Sequence, residues 1–258
     1  MKTNNIFIIL LAMILLPMYT GCGSSEEFTK TPVDELIKEM NAEPTFTILL
    51  YDMDVEGNFS KTYRHQYQII TTKDSVPETR TTDWYEVPKS FFEKHIDDMG
   101  MEIASKTEDG KVTKGVAPPG YSNYVGNPQY GQWQTGSNGS SFWEFYGKYA
   151  MMSSLFNMMT YPVYRNSYMD YRDNYYGRNA YYGSTSASGQ RMYGTGSTYT
   201  NTTNTSSKWN TKASNSTFRD KVRSRVSKSS SGSDRISRSN TRSSSGSSYR
   251  SRSRGFGK

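Results

Sequence analysis

One cysteine in 258 residues leaves no partner for a disulfide within the chain. One cysteine and two histidines also cannot assemble a zinc centre of the Cys/His type. Apolar side chains make up 34% of the residues, against roughly 45–50% in globular domains. A single well-packed domain over the whole length is therefore not expected, because too little apolar surface offsets the chain entropy. There is no Gly-rich phosphate cradle, and no serine sits in a nucleophile-elbow context. These shortages argue against an enzyme and against a bound cofactor or metal. Tyrosine, by contrast, is abundant at 21 residues. Charge is placed unevenly: residues 23–117 hold 19 acids and 11 bases, residues 118–183 hold 3 and 4, and residues 184–258 hold 2 and 15. The net charge of +7 thus comes from the C-terminal segment, the asymmetry of a folded part followed by a charged tail.

Residues 1–21 read as an address. Lys2 precedes residues 6–18, an unbroken apolar run of 13. That is short of the roughly 20 needed to span a membrane and suits the core of a secretory signal peptide. Thr20 and Gly21 are small, and Cys22 follows. A lone thiol at that place can be acylated and anchor the mature chain. Tyr19-Thr20-Gly21-Cys22 resembles the lipobox of bacterial lipoproteins, with Tyr19 where the pattern favours Leu. The resemblance covers residues 1–27. It implies a lipid, palmitate among its acyl chains, on Cys22, and a tether over residues 22–31. Gly23 in place of Asp implies the outer membrane, and Ser24-Ser25-Glu26-Glu27 resembles a short Ser/acidic signal for export to the cell surface. The same four residues also read as a plain polar spacer, and an ordinary cleaved signal peptide with an incidental Cys22 is the alternative to the anchor.

Residues 32–117 read as a small α+β domain. Residues 32–40 fit a helix with Thr31 as N-cap, Pro32 in the first turn, and Asp34 and Glu35 at the positive end of the dipole. Val33, Leu36, Ile37 and Met40 share one face. Residues 46–53 and 63–72 read as strands joined at Gly57-Asn58. Residues 89–99 read as a second helix, facing inward through Phe91, Phe92, His95 and Ile96. Residues 101–106 and 111–116 read as a hairpin through Asp109-Gly110. Two features could carry chemistry. Asp52-Met53-Asp54-Val55-Glu56-Gly57 matches the opening of a calcium loop, but Tyr63 stands where the bidentate Glu belongs, which favours an acidic strand end. His65 and His95 could act together only if the fold unites a strand with a helix.

Residues 118–183 are aromatic and rich in glycine. Tyr121, Tyr124, Tyr130 and Trp133 alternate with Gly126, Pro128 and Gly131. Such loops pack on the preceding domain or offer a stacking platform for sugars. Phe142, Phe145, Tyr149, Met152, Phe156 and Met159 recur at three- and four-residue spacing, which predicts an amphipathic helix over residues 142–159. Its stripe suits either a core or a membrane interface beside the lipid. Then Tyr161, Tyr164, Tyr168, Tyr171 and Tyr175 step 3-4-3-4, with Arg165 and Arg172 one heptad apart. On a helix this aligns tyrosines on one face with arginines in cation–π reach. The stripe either packs on its own neighbours or docks a protein or glycan.

Ser and Thr are 33 of the 75 residues 184–258, which predicts a disordered basic tail. Its cations include Arg219, Lys221, Arg223, Arg225, Lys228, Arg235, Arg238, Arg242, Arg250, Arg252, Arg254 and Lys258. Arg-Ser runs of this type occur in RNA-binding proteins, but a signal peptide routes the chain away from cellular nucleic acid. Anionic lipid, lipopolysaccharide and polysaccharide remain as partners, with a plain solvated brush as the alternative. The expectation is a lipid-anchored outer-membrane protein without cofactor or enzymatic activity, binding anionic envelope polymer or lipid. An accessory subunit of a membrane protein complex, docking through the tyrosine stripe, is the second expectation.

Overall fold

Thr31 and Asp34 open the first helix with a reciprocal cap. The Asp34 amide donates to Thr31 Oγ1 at 3.3 Å, and the Thr31 amide donates to Asp34 Oδ2 at 3.2 Å. Helix α1 (Pro32–Glu39) then turns Val33 and Leu36 inward. The computed structural model describes residues 30–57, 59–73, 76–186, 189–212 and 215–221. Cys22 and the cations from Arg223 to Lys258 lie outside the described residues.

The fold is α+β. Strand β1 (Phe46–Glu56) pairs antiparallel with β2 (Thr62–Lys73), with Phe46 opposite Thr71 and Glu56 opposite Thr62. Side chains alternate along a strand, so Phe46, Ile48 and Leu50 face one core while Leu49 faces another. A bulge between Leu50 and Asp52 shifts the phase and returns Met53 and Val55 to the first core. Strands β3 (Val76–Thr81) and β4 (Tyr85–Val87) each pair with a different stretch of β2. Helix α2 (Lys89–Lys94) follows, then β5 (Glu102–Lys106) on the far side of β1 and β6 (Val112–Thr113) beyond it.

Three local expectations change. The helix predicted over residues 89–99 stops at Lys94, and His95 caps it. The chain then folds back through Gly100, whose φ of +81° suits glycine. Strands β3 and β4 were not visible in the sequence pattern, because β3 is an exposed edge carrying Pro77 and polar residues. The helix predicted over residues 142–159 is in its first part a strand. β7 (Gly131–Thr135) and β8 (Ser141–Phe145) form a hairpin with Trp133 opposite Trp143. Trp143 and Phe145 point inward while Glu144 points out, so a period of two wins there over a period near four. Only Ala150–Leu155 forms the helix, α3.

The tyrosine repeat forms α4 (Arg165–Asp170) and a single π turn, Tyr171–Tyr175. Its start is delayed because Tyr164 makes a β-bridge to Phe142. Tyr161 and Tyr164 therefore lie before the helix, and the continuous stripe is interrupted.

The largest correction concerns the described part of the tail expected over residues 184–258; residues 222–258 lie outside the described residues. Residues 184–186, 189–212 and 215–221 are folded, with helices α5 (Thr198–Thr203) and α6 (Lys208–Thr211) and further helical residues 216–221. Tyr193 and Tyr199 pack on Met101, while Trp209 and Phe218 enter the core beside Phe92. Composition hides this, because few aromatic residues supply the apolar burial and polar side chains do the rest. Asp52 accepts from Ser207 Oγ at 2.6 Å and from the Lys208 amide at 2.7 Å. Lys212 reaches Asp54 at 2.6 Å. The Asn215 amide group accepts from the Val55 N–H and donates to the Lys208 carbonyl, both at 2.9 Å. Residues 32–117 thus do not close a core alone, and from Thr31 onward the described residues form one unit. Trp209→Ala should cost about 3–5 kcal/mol, read as a lower urea midpoint, and an unchanged midpoint would mean that Trp209 is not part of this core.

Candidate functional site

A cleft of about 360 Å³ lies where three segments meet: the β5–β6 turn, the loop after Pro119, and the α4–π turn. The β5–β6 turn is fixed by Asp109, which accepts from the Thr107 hydroxyl and from the Lys111 amide. These donors hold the exposed Asp109 carboxyl below the usual carboxylate range.

A buried carboxylate holds the second segment. Glu102, fully enclosed on β5, accepts the Gly120 amide at 2.5 Å and the Ser122 amide at 3.3 Å. Burial pushes its pKa up to about 7 against the downward pull of those donors. Asn123 then pins the loop to the sheet. Its Nδ2 donates to the Phe46 carbonyl and Thr47 Oγ1, both at 3.0 Å, and lies 3.2 Å from the Lys106 carbonyl. Gly126 has a φ of +75°, and a Cβ there would sit 2.5 Å from Tyr168 Cε1. Only glycine lets α4 approach so closely.

The third segment brings Tyr168, Arg172 and Tyr176 to the cleft. The Arg172 guanidinium lies 4.3 Å from the Tyr176 ring centre, and Lys111 Nζ lies 5.7 Å from it. The cation–π contact expected inside the repeat thus forms, but with Tyr176 rather than with a tyrosine of the stripe. Tyr171 is buried against Tyr121, Tyr175 packs on Tyr181, and Tyr161 packs on Tyr199. Tyr164 and Arg165 are exposed away from the cleft. The repeat is therefore mostly spent on its own core, and Tyr168 and Arg172 are the members that reach this cleft. Tyr130, named in the aromatic stretch, also lines the cleft, as do Thr45, Glu108, Asn123, Asn127 and Tyr176. Thr45, Glu108 and Asn123 carried no signal in the sequence.

Of the tail cations that the structure describes, Arg219 donates to the Trp209 carbonyl at 3.1 Å and Lys221 pairs with Glu93 at 2.8 Å. Both serve the fold. The acidic stretch 52–56 lies on β1 with its carboxylates engaged by Ser207, Lys208, Lys212 and Arg64, so it is a strand and not a calcium loop. Among the described residues, no group of three or more His, Cys, Asp or Glu could hold a metal ion, and no helix is long and apolar enough to cross a membrane.

The fold does unite the two histidines, with ring centres 6.5 Å apart. His95 Nδ1 lies 2.8 Å from Asp98 Oδ2, whose other oxygen accepts from the Tyr182 hydroxyl at 2.6 Å. His65 is fully buried, bonded to the Tyr67 hydroxyl through Nδ1, with Nε2 unpaired. A His–Asp pair is the bond of a base and its orienter. Here Phe91 and Phe92 pack against the His65 ring, and neither histidine lines the cleft. Comparison with family models, curated proteins and solved structures gives no match.

Two of the buried titratable groups, His65 and Glu102, set opposite acid responses. Burial, with His95 nearby, lowers His65 to about 3 from its ordinary 6.5. The unfolded chain takes up that proton first, so this stability is complete above about 6.5 and is lost as pH falls toward 3. Glu102 is raised from 4.5, so its contribution is complete below 4.5 and is lost as pH rises through 7. His65→Leu should flatten the acid limb of a plot of urea midpoint against pH, and Glu102→Gln should flatten the limb approaching neutrality. Limbs of unchanged slope in both variants would refute the assignment.

Proposed function

We propose that this chain is a lipid-anchored protein of the bacterial outer membrane, without enzymatic activity, that binds anionic envelope polymer or lipid in a structural or adhesive role. The observation that carries the reading is a separation of charge along the chain. Residues 30–221 hold 20 bases and 21 acids, while residues 222–258 hold 10 and 1. The folded part is electrically balanced, with Lys212, Arg219 and Lys221 engaged by carboxylates and carbonyls of the fold. The cationic excess begins where the described residues end. Each Lys or Arg near an anionic surface contributes about 1 kcal/mol. At the other end, Cys22 follows the apolar run, and residues 23–30 join it to the fold at Thr31.

A second reading, an accessory subunit of a membrane protein complex, is supported by one patch. Met159 and Tyr164 are 90% and 43% exposed, beside Phe142 and Pro162 on the rim of a groove. Such a contact resists salt, whereas a cationic tail does not.

Cys22→Ser should release the protein from membranes and abolish labelling by a clickable palmitate analogue, and continued labelling of that variant would refute the anchor. The full mature chain should hold anionic vesicles or polysaccharide at low salt and let go as salt rises, because screening acts over about 8 Å at physiological ionic strength. Replacing half of the cations beyond residue 221 by Gln should abolish the binding, and replacing Arg by Lys should change it little. A grip that persists at high salt favours the subunit reading.

A further inference from the structure

We propose that the cleft between the β5–β6 turn, the loop after Pro119 and the α4–π turn is a binding site for one or two units of a neutral saccharide. The site is independent of the lipid anchor and of the cations beyond residue 221.

Unused polar atoms in its wall are the first argument. Thr45 lines the cleft at 4% exposure, and its Oγ1 has no hydrogen-bond partner. Asn123 lines it at 9% exposure. Its Nδ2 is spent on Phe46, Thr47 and Lys106, and its Oδ1 accepts no bond. Buried polar groups are ordinarily satisfied. A hydroxyl in the cleft donates to Asn123 Oδ1, whereas Thr45 Oγ1 is closed to solvent and is reached only if the wall shifts to admit a hydroxyl.

The walls supply the second argument. Tyr130, Tyr168 and Tyr176 give the C–H faces of a sugar ring apolar surface to lie on. Arg172 is held by its contact with Tyr176 and makes no ion pair among the described residues, so its N–H groups remain to donate. Glu108 is exposed at the same opening and can accept.

The third argument is charge. The lining carries two carboxylates, Glu108 and Asp109, against one cation, Arg172, with Lys111 Nζ close by over the Tyr176 ring; Asp109 is bonded within its own turn by the Thr107 hydroxyl and the Lys111 amide. A phosphate-rich or polyanionic ligand needs a surplus of cations that this cleft does not have. An apolar ligand would leave Thr45 and Asn123 unpaired. A ligand rich in hydroxyls, which both donate and accept, and without net charge, matches the inventory. The volume of about 360 Å³ stands at the lower end of small-molecule sites, about 300–1,000 Å³, which limits the occupant to a short saccharide.

The test is a titration of the full mature chain with cellobiose, maltose and lactose, followed through the side-chain amide resonances of Asn123 and Asn127. Those signals report the cleft and not the cationic segment. At least one sugar should move them saturably, and the affinity should change less than about twofold between low and high salt. Arg172→Ala and Glu108→Ala, both at exposed positions, should each weaken binding about three- to tenfold while leaving the urea midpoint unchanged. The proposal is overturned if none of the three sugars shifts those amides. It is equally overturned if binding follows salt as the anionic polymers do, or if both variants bind as the parent does. Loss of polymer binding with sugar binding intact would reject the proposed function and leave this site standing.

Discussion

Two carboxylates inside a sheet dictate much of this molecule. Asp54 is fully buried and Asp52 nearly so, and an unpaired charge at such a depth is far too costly to keep. The donors that satisfy them come from residues 207–215, about 160 positions along the chain. Bringing those donors in brings Trp209 with them, and Trp209 closes the core over Phe92. Electrostatic need and apolar burial therefore point the same segment to the same place. Neither alone would hold a stretch so rich in Ser, Thr and Asn.

A similar arrangement, on a smaller scale, builds the cleft. Glu102 is one carboxyl, but it gathers the Gly120 and Ser122 amides and so sets the start of the aromatic loop. Asn123 ties the same loop to β1 and β5. The tyrosines then pack in edge-to-face pairs, with Tyr121 meeting Tyr168, Tyr171 and Tyr193. Rings in this geometry gain beyond simple area burial. A chain with few aliphatic residues here makes a second core from phenol rings, and the hydroxyls buried with them, as on Tyr121 and Tyr199, are held well above the ordinary tyrosine range by burial.

Legibility in the sequence followed from how local each signal was. The Thr31 cap, the Val33/Leu36 face, β1, β2 and the Asp109-Gly110 turn are specified by neighbours within a few positions, and all are present. Strand β3 is an edge whose polar surface mimics a loop. The β7–β8 hairpin hid inside a spacing that fits a helix, because Phe142, Phe145 and Tyr149 step by three and four; the buried pair two residues apart is Trp143 and Phe145, and Phe142 falls on the other face of the strand. Folding of residues 184–221 was invisible because its cause lies on β1. A composition argument measures what a segment can bury by itself, not what another strand demands of it. In the cleft, Tyr168 and Arg172 were legible through their repeat, whereas Thr45 and Asn123 matter only through unmet hydrogen bonds that no spacing records.

The bond between Val55 and Asn215 also sets an order of events. Its two ends are 160 residues apart, so a growing chain holds β1 long before it holds the residues that complete it. Contacts of such separation raise the contact order and slow the final step of folding, although the loop-closure entropy itself grows only with the logarithm of length. Until residue 215 arrives, Asp52 and Asp54 lack the donors that residues 207–215 bring them. This late closure acts as a built-in delay. The carboxylates that lock the finished fold are the same groups that leave β1 unsatisfied until its last partner is made.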